Sequence, residues 1–211
     1  GCAGGVAALV LGSQLALLGQ NSTLVIQSDA ARKATSRNSS INKIFGNGSF
    51  ACLIRHDGSS RKMLHHKSVH YEGLSKIVNI RLGHDADEII KKEYAEMIDD
   101  PRKHLGLTLD NAMAMKLVRE AENFYLRFIE ESTTPDVMIL HQVNPQIISH
   151  LKQVFSKYKV EFIDVASKIG NCGSATVGIA LASLNGNLAG KKILLCSFGT
   201  GGVISAGLWQ N

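Results

Sequence analysis

The sequence predicts an α/β fold of the layered type, with mixed sheets and helices packed between them. From Asp136 onward, β-rich apolar runs alternate with helical patterns: Asp136–Leu140, a helix opened by Asn144-Pro145, Val160–Val165, a helix over Ser174–Leu184, and Lys192–Ser197. That alternation closes in a hairpin, Lys192–Ser197 and Val203–Trp209 joined by the glycine turn Phe198-Gly199-Thr200-Gly201-Gly202. Glycine is frequent and proline scarce, 20 against 3 in 211 residues, as many tight strand–helix junctions require. A first hairpin-ended unit precedes this one and starts partway through, so the N-terminal repeat is incomplete. Residues 1–75 read as the remainder of an N-terminal half and 76–211 as a C-terminal half.

The elements follow in order. Gly1-Cys2-Ala3-Gly4-Gly5 sets a thiol among residues with almost no side chain, and the apolar run Val6–Leu18 continues as a helix expected to be buried along its whole length. No charge appears before Asp29. The run is broken by Gly12, Ser13 and Gln14 and is short of the roughly 20 residues of a membrane span. It also lacks the basic start of a secretory signal. Thr23–Gln27 reads as a buried strand and Ser28–Asn42 as a polar loop. Phe45-Gly46-Asn47-Gly48-Ser49 turns into the strand Phe50–Ile54; a phosphate loop would open a helix there, so that reading fails. Residues 55–75, with Arg55, Arg61, Lys62, Lys67 and four histidines, read as a solvated basic loop rather than a metal site. Asp87–Met97 reads as a short amphipathic helix. Asp110–Glu131 reads as a long one with Ala114, Leu117, Ala121, Phe124 and Phe128 inward.

Composition excludes several classes. The chain is 45% hydrophobic and 19% charged, normal for a globular protein. A net charge of +5 spread thinly fits an acidic carrier or a nucleotide-bearing substrate and equally a solvated surface with no such role, and no aromatic–basic interleaving indicates nucleic acid. Cys2, Cys52, Cys172 and Cys196 show neither metal spacing nor a disulfide framework, which fits reduced thiols in the cytoplasm. No metal or membrane partner is expected.

Three later stretches bear residues that would converge on Cys2. His141 ends a strand just before a helix, where α/β proteins place site residues. Asn171 also precedes a helix, between Gly170 and Gly173. The turn at Gly199-Thr200 offers exposed backbone N–H groups to an oxyanion. A helix N-terminus at Cys2 is expected to favour the thiolate.

Taken together, Cys2-Ala3-Gly4, Phe45-Gly46-Asn47-Gly48, His141-Gln142-Val143-Asn144, Gly170-Asn171 and Ser197-Phe198-Gly199-Thr200-Gly201 resemble the thiolase-fold condensing enzymes, nearest the β-ketoacyl-acyl carrier protein synthase III group. The resemblance implies a thiolase-like layered fold and a decarboxylative Claisen condensation through an acyl-cysteine, giving a 3-oxoacyl product. It implies catalytic roles for Cys2, His141 and Asn171, and an oxyanion hole from the backbone of Cys2, Gly199 and Thr200. Substrate contacts would fall to Asn144, Gln146 and Arg37. Acyl-coenzyme A or acyl carrier protein would be the thioester substrate, with no tightly bound cofactor, and the complete protein would be a homodimer in fatty-acid or specialised lipid metabolism. Two other readings are an acyltransferase of the same fold without decarboxylation and a non-catalytic partner subunit. Three positions depart from the family pattern: Gln146 stands for its usual Arg, Asn111-Ala112 for Gly-Asn, and Asn47 for Asp. Family members also carry a long segment before the nucleophile, and the chain is expected to need it for activity.

Overall fold

The computed structural model describes residues 1–19, 22–35, 40–58, 62–80, 107–184 and 188–211. In chain order these form α1 (Gly4–Leu17), β1 (Ser22–Asp29), β2 (Gly48–Arg55), β3 (Lys62–His70), β4 (Val78–Ile80), β5 (Leu107–Leu109) and α2 (Asn111–Glu131). There follow β6 (Val137–Ile139), α3 (Pro145–Phe155), β7 (Glu161–Phe162), α4 (Ala166–Ile169), α5 (Ala175–Ala182), β8 (Lys192–Gly199) and β9 (Val203–Gln210). The helix expected over Asp87–Met97 and the candidate residue Arg37 lie outside the described residues.

A five-stranded mixed sheet in the order β3-β9-β8-β6-β7 is the centre of the molecule. β6 is parallel to both β7 and β8, whereas β9 is antiparallel to β8 and β3. β1 and β2 pair antiparallel as a separate ribbon, Ser22 opposite Arg55 through Asp29 opposite Gly48. α1 and α5 lie between this ribbon and the large sheet, and α2 packs on the sheet's other face. One core accordingly joins Val6 and Leu9 of α1 to Val137, Ile139, Ile193 and Leu195. The other joins Leu117, Tyr125, Phe128 and Ile148 to Leu194, Ile204 and Leu208. Alternate residues of β8 and β9 thus serve opposite layers, which is why the middles of these strands are buried on both faces and mostly apolar.

Local chemistry sets the helix starts. Asp110 accepts the Met113 N–H at 3.0 Å and so caps α2. Asn144 accepts the Ile147 N–H at 2.9 Å with Pro145 in the first turn, the cap read from the sequence.

Three elements differ from expectation. Much of the basic segment 55–75 is strand: β3 is the edge of the large sheet, although it precedes residue 76. Met63, His65 and Val69 are its half-buried positions, and the His65 ring lies 4.9 Å from that of Phe128. An imidazole in place of an aliphatic residue, and a register shift between Met63 and His65, hid the two-residue period. β7 is shorter than Val160–Val165 because the Gln142 side chain draws off the next backbone. Its Oε1 accepts from the N–H groups of Val165 (2.8 Å) and Ala166 (3.1 Å), which turns the chain into α4. Finally, α1 is buried on one face only: Val6, Leu9 and Ala16 are covered, while Leu11, Leu15, Leu17 and Leu18 are exposed. The same holds for β1, whose Leu24 and Ile26 face out.

Candidate active site

Cys2 lies in the turn just before Ala3, the N-cap of α1. The turn between β8 and β9 closes over it. A Cβ built on Gly199 would come within 2.6 Å of the Cys2 Cβ and 3.2 Å of its Sγ, so only glycine fits there. The Ser197 hydroxyl donates to the Ala3 carbonyl at 3.2 Å and pins the start of α1 to β8. Hydrogen bonding from the backbone at Cys2 and Thr200 favours the charged form of the sulfur. Sequence reasoning expected a thiol biased toward thiolate; the structure corrects this. Burial, and next the negative charge of Asp29, push the Cys2 thiol up to about 11, and the opposing influences only partly offset them. The helix N-terminus gives little help, because the first N–H groups of α1 are already used: Gly4 donates to the Gly1 carbonyl (2.9 Å) and Gly5 to that of Cys2 (3.3 Å).

Asn171 is held by the glycine turn at 45–48. Its N–H donates to the Ile44 carbonyl at 2.9 Å, and its carbonyl accepts from the Gly46 N–H at 2.9 Å, an isolated parallel bridge. A side chain on Gly46 would run into the Ile169 carbonyl, so this docking also requires glycine. The Asn171 side-chain oxygen accepts from the Gly173 N–H at 2.9 Å. The carboxamide is thereby oriented, and its NH2 is left as a donor.

His141 follows β6, 2% exposed, with its ring edge-on to Phe198 at 5.6 Å between centroids. Burial pushes its pKa down to about 4, so the ring is neutral at pH 7. Nδ1 is buried without a hydrogen-bond partner among the described residues. The neighbouring Gln142 carboxamide also donates to the Leu140 carbonyl at 2.6 Å, which fixes the bend on which His141 sits.

One cavity of about 1000 Å³ brings these groups together. Cys2, His141, Asn144, Gln146, Asn171, Gly199 and Thr200 all line it. Every candidate residue among the described ones is therefore in one place. Its apolar wall comes from Ile77, Leu117, Val118 and Phe198, and Asn111 reaches it from the start of α2. Asp29, missed as a site residue, lines it too. A signal existed: it is the first charge of the chain, at the C-terminal end of a strand. Among the described residues no lysine or arginine lines the cavity. Among the described residues no group of three or more His, Cys, Asp or Glu could hold a metal, and no helix is long and apolar enough to cross a membrane.

Residues 131–211 match the family model described as 3-oxoacyl-[acyl-carrier-protein (ACP)] synthase III C terminal. No curated protein matches the chain. Among solved structures, 3-oxoacyl-[acyl-carrier-protein] synthase III from Aquifex aeolicus VF5 shares 20% identity at a TM-score of 0.76, over 100% of this chain and 65% of its own. β-Ketoacyl-[acyl carrier protein] synthase III from Thermus thermophilus shares 19% at a TM-score of 0.81, over 100% and 66%. 1,3,6,8-Tetrahydroxynaphthalene synthase from Streptomyces coelicolor A3(2), a bacterial type III polyketide synthase, shares 17% at a TM-score of 0.72, over 99% and 60%. The chain thus has a thiolase-like fold and spans 60–66% of the length of these structures. The likeness to synthase III read from the motifs holds across that fold and, over residues 131–211, in the family match.

Proposed function

We propose that the chain carries the active site of a condensing enzyme that joins two acyl thioesters by decarboxylative Claisen condensation through an acyl group on Cys2. The observation that supports this most is the single cavity lined by a thiol, a neutral imidazole and an oriented carboxamide.

In the first stage the Cys2 sulfur attacks the carbonyl carbon of an acyl thioester; the carbon–sulfur bond to the carrier breaks, and the carrier leaves as its thiol with the Cys2 proton. The backbone N–H groups of Cys2 and Thr200, both of which act on the sulfur, would be the donors to the oxygen of the tetrahedral adduct. Gly199 contributes by having no side chain, which lets that turn approach the nucleophile. In the second stage a malonyl thioester loses carbon dioxide, and negative charge gathers on its thioester oxygen. The Asn171 NH2 and a ring N–H of His141 are donors suited to that oxygen. Both residues are buried, where an uncharged donor costs less to keep ready than an ion. The enolate carbon then attacks the acyl carbonyl, a carbon–carbon bond forms, and the Cys2 sulfur departs and regains a proton.

Asn144 and Gln146 would contact the substrate arm at the cavity mouth, and Arg37 remains a candidate for a nucleotide. Acyl-coenzyme A or acyl carrier protein is the proposed donor, a homodimer the proposed assembly, and the cytoplasm the proposed location. The test is incubation of the protein with an acyl-coenzyme A and malonyl thioester, followed by intact and peptide mass measurement. An acyl adduct on Cys2, absent in Cys2→Ala, and a 3-oxoacyl product with loss of carbon dioxide are expected. An adduct without decarboxylation would move the reading to a same-fold acyltransferase, and no adduct would leave a non-catalytic subunit.

A further inference from the structure

The two glycine turns cross over. The turn between β8 and β9 seats Gly199 on Cys2 at the start of α1, and the turn before β2 seats on the segment that opens α5. In the second contact backbone meets backbone: Gly46 donates to the Asn171 carbonyl, and a Cβ on Gly170 would stand 3.0 Å from the Gly46 nitrogen. The Cys172 side chain fills the space beneath that turn, with Ile179 beside it. A Cβ built on Gly46 would lie 2.8 Å from the Cys172 Sγ, and one on Gly48 would lie 3.0 Å from it and 2.7 Å from the Ile179 Cδ1. Cys172 is fully buried, and its thiol donates to the Ile169 carbonyl at 3.5 Å. Its chain neighbours Asn171 and Gly173 line the cavity, whereas the Cys172 side chain packs behind them.

We propose that Cys172 is a positioning residue for Asn171: its side chain spaces the 44–48 turn from the Asn171–Gly173 turn and so sets where the carboxamide NH2 stands in the cavity. The contact has little slack, because the facing residues are glycines and the sulfur bears on main chain that no rotamer change can move aside. Cys2 has a separate support, the Ser197 hydroxyl and Gly199 of the other hairpin. A disturbance at Cys172 therefore impairs the loss of carbon dioxide, in which Asn171 takes part, more than it impairs the acylation of Cys2. The inference rests on the proposed role of Asn171, and its test lets the two fail separately.

Cys172→Val adds a second γ branch under Gly46 and Gly48, whereas Cys172→Ser keeps a small side chain with a donor. Mass measurement follows two rates: acylation of Cys2 by an acyl-coenzyme A, and formation of the 3-oxoacyl product when the acylated protein meets malonyl-coenzyme A. In Cys172→Val the second rate should fall about tenfold, as a displacement of well under about 1 Å produces, while the first changes by less than about twofold. Cys172→Ser should recover most of the loss. Equal losses in both rates, no loss in either, or a Ser variant as slow as Val overturn the proposal. Should Cys172→Val not fold, Gly48→Ala presses on the same sulfur from the other side, and the same split is expected. Should the wild type form no product, the functional reading fails, and amide hydrogen exchange decides the positioning. The N–H groups of Gly46 and Gly173 should then exchange about tenfold faster in the variant, with those of β8 still protected. Unchanged exchange at both glycines overturns the proposal.

Discussion

At pH 7 the imidazole of His141 is uncharged because the protein around it replaces water without supplying a counter-charge. That state has a stability consequence with a definite sign. The unfolded chain takes up a proton at about 6.5, and the folded chain does so only near 4. The unfolded state therefore binds more protons in this window, and stability is lost as pH falls through it, by up to about 3 kcal/mol at the bottom. Denaturant midpoints between pH 7 and pH 4 should show this loss in the wild type. His141→Gln, neutral at every pH, should flatten it; an equal loss in the variant would assign it elsewhere. The position of His141 was legible in the sequence, at a strand end ahead of an Asn-Pro cap, and so was that of Asn171 between two glycines. Its charge state was not, because burial is set by Phe198 and the far end of the chain. The thiol of Cys2 shows the same limit. A helix start was visible, but not the enclosure and the Asp29 charge that outweigh it.

Among the elements, α3 ties fold to site through one side chain. Asn144 caps the helix with its oxygen and also lines the cavity, which leaves its NH2 to face a ligand. Replacing it with alanine removes both functions and should cost about 1 kcal/mol in stability. Asn144→Asp keeps the acceptor and so the cap, but loses the donor. Thermal melts should therefore separate Ala from wild type but not Asp from wild type. On the proposed function, both variants should raise KM for the thioester more than they lower kcat. Comparable melting of all three would show that the cap carries little weight. This helix was legible because its start is encoded in adjacent residues. β3 was not, since its pairing partner β9 lies more than a hundred residues away and its half-buried positions include a histidine. Non-local pairing of a polar edge strand leaves little trace in composition.

In the whole molecule, the layered order could be read from the strand–helix alternation of the second half, whose β6, β7, β8 and β9 join β3 in one sheet, β3-β9-β8-β6-β7. The ribbon β1–β2 has no further strand among the described residues. Its outer face sets Leu24 opposite Leu53 and Ile26 opposite Ala51. Leu24 is 60% exposed and Ile26 67%. Exposed Leu11, Leu15, Leu17 and Leu18 on α1 add further apolar surface. Scattered apolar residues need no explanation, but neighbours on one sheet face with unpaired strand edges form an association surface. The 211 residues produced by themselves should therefore sediment above the monomer mass of 22.8 kDa at micromolar concentration. Leu24→Glu combined with Ile26→Lys changes only outward positions of β1 and leaves the buried Val25 and Gln27 in place. That pair should return the chain to a monomer with its thermal transition little changed. A wild type that sediments as a monomer, or a double variant that associates as strongly, would show that the ribbon's outer face does not drive association.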